Sequence, residues 1–396
     1  MKLHRELTME STSQLENLPT EILLHILTHF DDIHCLWNLI ASSPASYRVF
    51  SQYKEEIFWH ALLESNIPLQ TQEIIRFVIQ LRAGAFKKTN FDEVIAKIKE
   101  REAGIVLGSS EELGYDFPTK DSSAVPSLRV LRSILCKAAQ IHCLSRSCID
   151  WYMQQLIVAK SNGRVTWDSD NETATKPSWI EEQRVIRAFW RLQLIFELES
   201  AVQASQLRFS SQNTGTIDRL NIRVLYDSTT SNLKAAYNEV MTVVEYLQNL
   251  ESNRKQPVTL HNRLPSPVWS LKDITPSTLR MPATTAMRKS ALVLPTDGLW
   301  IVDSLSRGVH SPIKYSGFDP YRQMGFAIWD RHRIAKMGLV SPPGQGRVTG
   351  LGSYFPQWLQ LLSGSDLARA EEIMQHVEEQ GERLVPLQPV IQDNAS

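Results

Sequence analysis

Residues 15–30 read Leu15-Glu-Asn-Leu-Pro-Thr-Glu-Ile-Leu-Leu-His-Ile-Leu-Thr-His-Phe30, and this stretch predicts a short helix with a wide apolar face. At about 100° per residue, the apolar side chains from Ile22 to Phe30 spread over roughly 140°, and Leu24 widens the stripe further. A surface helix normally buries an arc of about 100°. We therefore expect something besides the protein's own chain to cover part of this helix.

Two more helical patterns follow directly. Apolar residues recur at helical spacing over 33–40, and Asp32 can cap the helix that they predict. Ser43 and Pro44 then provide a cap and a first-turn proline for a third helix that continues to Leu62. Three short helices over about fifty residues have a thin core, so a partner that covers the first helix would stabilise them.

These residues resemble an F-box. The resemblance lies in the order Leu-Pro-x-Glu-Ile-Leu from Leu18 to Leu23, ahead of two further helices, and in a segment from Ser43 to Phe50 that is similar to the fungal variety. In that family a small helical module binds the Skp-type adaptor of a cullin-RING ubiquitin ligase, and the rest of the chain recruits a protein substrate. The resemblance assigns adaptor binding to Leu15, Leu18, Pro19, Glu21, Ile22, Leu23, Ile26, Leu27, Leu36 and Leu39. It implies a substrate-recruiting subunit and no catalyst.

Two interpretations of the first helix remain open. In one, Leu18, Pro19, Ile22 and Ile26 enter an apolar groove of the adaptor. In the other, the same residues only pack against the second and third helices, as an apolar stripe usually does. The motif order favours the first interpretation.

The chain as a whole predicts an all-α protein. A small N-terminal three-helix F-box-like module, residues 15–62, is expected to be packed on or linked to a larger irregular helical domain, residues 63–385. Residues 1–14 and 386–396 are expected to be disordered. No strand pattern and no leucine-rich, WD-type or kelch repeat is apparent in the sequence, so the protein substrate is not identified.

One helix of the larger domain is expected to lie at its centre. Ser178 and Glu181 form a capping-box pattern, and the helix that follows is apolar on nearly every side through Phe196. The segment 181–198 also resembles the central helix of many fungal F-box-like proteins.

Three arginines on this central helix allow two interpretations. Arg184, Arg187 and Arg191 could bind a phosphorylated substrate, or they could pair with Glu181, Glu182 and their neighbours. Ion pairing is favoured.

Composition excludes several classes of function. The chain has 42 basic and 43 acidic residues, which argues against a broad nucleic-acid surface. No apolar run approaches the roughly 18 residues that cross a membrane. The four cysteines are too few for a disulfide framework, so reduced thiols and a cytoplasmic or nuclear location are expected.

The sequence predicts no metal, no cofactor and no catalytic residue. Cys136, His142, Cys143 and Cys148 lack the spacing of a zinc site, and we interpret the cysteines as buried thiols. A helix is predicted over 321–337, with Trp329-Asp-Arg-His-Arg333 as a solvated charged face. The glycine-rich segment 344–352 matches no phosphate-binding pattern and predicts a flexible loop. Two alternative functions remain, a scaffold outside a ubiquitin ligase and an enzyme of unrecognised type in residues 63–396.

Overall fold

The computed structural model describes most of the chain. The described ranges are 14–30, 32–65, 67–87, 89–104, 126–164, 176–208, 222–226, 230–252, 264, 297–308, 311–342 and 351–379. Within these ranges the regular structure is α-helix and short 3-10 helix, with no strand, so the all-α prediction is confirmed. The predicted disordered ends and the glycine-rich loop lie outside the described residues, apart from Gln14 and 351–352. No described helix is both long and apolar enough to cross a membrane.

The chain divides into two compact units. The first comprises the described parts of residues 1–67 and 125–142, and the second those of 68–124 and 143–396. The first unit contains a 3-10 turn (Gln14–Asn17), α1 (Thr20–Thr28), α2 (Ile33–Ser42), α3 (Pro44–Gln52), α4 (Lys54–Glu64) and the start of α7 (Leu128–Ser161). The second contains α5 (Leu69–Ala83), α6 (Phe91–Gly104), the rest of α7, α8 (Trp179–Gln203), α9 (Ile222–Leu225), α10 (Ser231–Ser252), α11 (Asp297–Leu305), α12 (Ile313–Ser316), α13 (Asp319–Arg322), α14 (Arg331–Lys336), a 3-10 turn (Leu351–Tyr354), α15 (Phe355–Gln360) and α16 (Gly364–Glu379).

Two predicted helix caps of the first unit are confirmed. The Asp32 carboxylate accepts from the His34 amide at 2.9 Å and starts α2. The Ser43 hydroxyl accepts from the Ser46 amide at 3.1 Å and starts α3, with Pro44 in its first turn. These caps satisfy amides that have no partner within the helix.

The predicted third helix is wrong as a single element, because it is divided into α3 and α4 at Tyr53. The backbone of Tyr53 has φ −114° and ψ 31°, outside the helical region, and the chain bends there. Both resulting helices pack against α1. No proline or glycine marks the bend, so the sequence offers no local signal for it.

The first unit also includes residues that the sequence assigned to the larger domain. Arg132 at the start of α7 donates to the Tyr47 hydroxyl at 3.2 Å, and its guanidinium lies 4.9 Å from the centre of that ring. This contact joins residues 85 positions apart. The sequence pattern could not predict it, because apolar periodicity describes only the spacing of residues within one element.

Helix α8 forms the centre of the second unit, as predicted. It is buried along almost its whole length, and α5 and α10 both pack against it. The capping box is confirmed, because Ser178 accepts from the Glu181 amide at 3.3 Å and Glu181 accepts from the Ser178 amide at 2.9 Å. A helix that is apolar on nearly every side is typical of such a buried position, because its backbone hydrogen bonds are made within the helix.

The arginines of α8 form ion pairs, with partners that differ from those predicted. Arg187 donates to both carboxylate oxygens of Glu239 at 3.0 and 2.5 Å. Arg191 donates to both oxygens of Glu102 at 2.9 and 2.7 Å and to Glu239 at 2.6 Å. The acids come from α6 and α10, whereas the sequence favours Glu181, Glu182 and their neighbours.

The predicted helix over 321–337 is also wrong as a single element. Helix α13 ends at Arg322, and the chain turns at Gly325, whose φ is +82° and where an added Cβ would lie 2.7 Å from the Trp329 ring. Asp330 then caps α14 by accepting from the Arg333 amide at 2.8 Å. Gly338, with φ +68°, follows α14, in agreement with the predicted glycine end.

The charged face predicted at 329–333 is wrong for its main members. Asp330 and Arg333 are buried, and Arg333 donates to both oxygens of Glu181 at 2.7 Å. His332 is exposed and Arg331 is half-buried. The charged residues are buried here because a carboxylate from a distant helix neutralises the guanidinium.

Candidate protein-binding surface on the first helix

Helix α1 has a buried inner face. Leu23 and Leu27 are 2% and 0% exposed, and Leu36 from α2 is also fully buried. Residues i and i+4 lie on one side of a helix, so Leu23 and Leu27 form one row against the other helices of the unit. For these three predicted site residues, packing within the protein's own chain explains the apolar side chain.

The outer face of α1 remains apolar although it is open to solvent. Ile22 is 48% exposed and Pro19 is exposed, while Leu18 and Ile26 are half-buried. We call these four residues the outer stripe. The helices that cover Leu23 leave 48% of Ile22 exposed, so packing within the first unit accounts for only part of this side chain. Pro19 directly precedes the first residue of α1 and is also exposed.

The remaining predicted site residues border this surface. Glu21 is exposed, and Leu15 and Leu39 are half-buried. Two histidines that the sequence analysis did not single out, His25 on α1 and His29 directly after it, are exposed with ring centres 4.1 Å apart. An apolar patch bordered by polar side chains is typical of protein-binding surfaces.

Glu16, which the sequence analysis did not identify, fixes the 3-10 turn that precedes the outer stripe. Its carboxylate accepts from the Ser43 hydroxyl at 2.5 Å and from the Ala45 amide at 3.0 Å. A carboxylate is favoured there because the first amides of α3 have no backbone acceptor within the helix and the helix dipole is positive at that end. Glu16 thereby holds the 3-10 turn ahead of Leu18 against α3.

A second cluster of polar side chains lies at the start of α2. The Asp32 carboxylate contacts His34 Nδ1 at 2.5 Å, and Cys35 Sγ lies 3.6 Å from His34 Nε2. The His142 ring stacks on that of His34 with centres 3.8 Å apart and planes 9° apart. Burial alone would lower the pKa of His34, but the hydrogen bond and charge of Asp32 outweigh it and raise this pKa to about 9.

The other cysteines occupy different environments. Cys148 is buried as predicted, and burial raises its pKa well above the ordinary value. Cys143 is half-buried, and burial raises its pKa to about 11. Cys136 is exposed, so the interpretation as buried thiols is wrong for it.

No model of a known protein family, no curated protein and no solved structure matches this chain. The resemblance to the F-box therefore rests on the motif residues of α1 and its neighbours.

Proposed function

We propose that this protein is an F-box-like substrate-recruiting subunit, in which the outer stripe of α1 binds a Skp-type adaptor of a cullin-RING ubiquitin ligase. The observation that supports the proposal is the exposure of Ile22, 48%, beside the fully buried pair Leu23 and Leu27. The exposed part of Ile22 is not covered by the core of the first unit and can contact a partner. The second unit is proposed to recruit the protein substrate.

Docking would act through the apolar surface that remains exposed. Covering the open half of Ile22 contributes on the order of 1 kcal/mol, since complete burial of such a side chain contributes about 1.5–3 kcal/mol. Pro19 and the exposed parts of Leu18 and Ile26 add to this. The polar residues Glu21, His25 and His29 would lie at the rim, where water remains.

The proposed mechanism is proximity. A substrate held by this chain would be kept close to the ubiquitin-carrying enzyme of the ligase, at an effective concentration on the order of millimolar if the connection is flexible. No residue of this chain would take part in ubiquitin transfer.

Reconstitution from purified proteins tests the proposal. The full chain should form a complex with a Skp-type adaptor, and this complex should bind the cullin-RING assembly in size-exclusion chromatography. The Ile22→Asp variant should bind neither, because it places a charge in an apolar contact. Adaptor binding without cullin binding would favour the scaffold alternative. Failure of the folded wild-type chain to bind the adaptor would contradict the proposal.

The residues considered for the enzyme alternative occupy the following positions. The Asp330 carboxylate caps α14, and His332 is exposed on that short helix. The core around Phe189 and Trp190 is closed, since both side chains are at most 1% exposed.

A further inference from the structure

The cluster at the start of α2 brings together four side chains that are all able to bind metal ions. Asp32, His34 and Cys35 are half-buried, and their ligand atoms lie within 4.8 Å of one another. In the described part of the chain no other group of three or more such residues is this close. His142 comes from α7, more than a hundred positions later, and still lies against His34.

We propose that this cluster binds a divalent cation of the zinc class, with His34 Nε2, Cys35 Sγ and His142 as protein ligands and water in the fourth position. The distance between Sγ and Nε2 is 3.6 Å. Tetrahedral zinc with a sulfur at about 2.3 Å and a nitrogen at about 2.0–2.1 Å requires these two atoms to be about 3.6 Å apart. The first two ligands are therefore already at the separation that the metal needs.

Asp32 acts as a positioning residue for the His34 ring. Its carboxylate holds Nδ1 at 2.5 Å and is itself held by the His34 amide at 2.9 Å, so Nε2 is the nitrogen that faces Cys35. Histidines that bind metal usually donate their other ring nitrogen to a carboxylate in this way. The pair therefore fixes the orientation of the ring and leaves Nε2, on the side of Cys35, as the nitrogen that would bind the metal.

His142 provides the third nitrogen. Its ring lies parallel to that of His34, with centres 3.8 Å apart, so the site requires the His142 ring to turn out of this stack when the metal binds. Binding releases the protons of His34 Nε2 and of the Cys35 thiol to solvent, and two new bonds to the metal replace them. The negative charges of Cys35 and Asp32 then balance the dication. Imidazole and thiolate together favour zinc over magnesium or calcium.

A cobalt titration of the metal-free full chain tests the site, because Co²⁺ occupies zinc sites and shows a charge-transfer absorption band when bound to thiolate. We expect a thiolate band in the wild type that Zn²⁺ abolishes by competition. Cys35→Ser should lose the band, while Cys136→Ser, which changes an exposed cysteine on α7, should retain it. His34→Gln and His142→Ala should each weaken Zn²⁺ binding at least tenfold.

The Asp32→Asn variant separates positioning from folding. Asparagine caps a helix about as well as aspartate, so α2 should remain intact, as amide hydrogen exchange can verify. Zn²⁺ affinity should nevertheless fall by roughly 10–100-fold, the usual effect of removing such a carboxylate. Absence of a thiolate band in the wild type would overturn the proposal. So would wild-type Zn²⁺ affinity in any folded His34, Cys35 or His142 variant.

Discussion

Ile22 and Leu23 are neighbours in the sequence, but the first is 48% exposed and the second 2%. A single exposed isoleucine is ordinary on a protein surface. Ile22, however, is flanked by Leu18, Pro19 and Ile26, so the exposed apolar surface continues along the helix. At the level of single residues, α1 thus separates side chains that stabilise the fold from side chains that are available to a partner.

Substitution by alanine should reveal this separation. Leu27→Ala should lower the free energy of unfolding of the first unit by about 2–5 kcal/mol, because it leaves a cavity in the core. Ile22→Ala should change it by less than about 0.5 kcal/mol. Native-state amide hydrogen exchange over α1 to α4 measures both values. A loss of similar size in the two variants would show that Ile22 belongs to the core.

The sequence predicts the apolar residues of α1 but not which of them are exposed. Helical spacing places Ile22, Leu23 and Ile26 on one broad stripe, and the covered part depends on where α3 and α4 lie. Their position depends on the bend at Tyr53, which has no sequence signal. The contact between His34 and His142 was missed for a related reason, because these two residues meet only after folding.

At the level of elements, the start of α8 is joined to α14 through one carboxylate. Glu181 accepts from the Ser178 amide in the capping box. It also accepts from the Arg333 side chain on α14 and from the amide of Asp330, the residue that caps α14. Glu181 is fully buried, so these donors replace the water that its carboxylate loses on folding.

Two variants distinguish the cap from the buried ion pair. Ser178→Ala removes one cap acceptor and should lower the free energy of unfolding of the second unit by about 1 kcal/mol. Glu181→Ala leaves the buried Arg333 without its carboxylate and should lower it by about 3–5 kcal/mol. Urea denaturation provides both values. Equal losses would mean that the ion pair contributes nothing beyond the cap.

The predictability of the elements follows the range of the interactions that define them. The capping box and the apolar pattern of α8 are local, and both are confirmed. The division of 319–338 into α13 and α14 depends on the Trp329 ring, which occupies the space beside Gly325. The spacing of apolar residues in the sequence does not reveal this contact.

At the level of the whole molecule, the two units have different roles in the proposed function. The first carries the outer stripe, and the second is built around α8 and its buried arginines. Arg187 and Arg191 share Glu239, which joins α8 to α10. Burial alone would raise the pKa of Glu239, but the two guanidinium groups outweigh it and lower this pKa below its ordinary value of 4.5.

The Glu239 carboxylate should therefore contribute a pH-dependent part of the stability. Because its pKa is lower in the folded state, its contribution is fully present above about pH 4.5 and is lost as the pH falls through the folded value. Glu239→Gln should be less stable than the wild type by roughly 3–5 kcal/mol at neutral pH. Urea denaturation from pH 7 to about pH 3.5 should show this difference shrinking in acid. A constant difference would contradict the assignment.

The central claim is that the outer stripe binds a Skp-type adaptor, and isothermal titration calorimetry with purified adaptor tests it most directly. Ile22→Asp should weaken binding by at least about 2 kcal/mol, roughly 30-fold, since it places a charge at the centre of the contact. Val158→Asp on α7 is the matched control, because Val158 is an apolar residue that is 52% exposed and belongs to the other unit. This variant should bind the adaptor with wild-type affinity. Wild-type affinity in a folded Ile22→Asp variant would contradict the account.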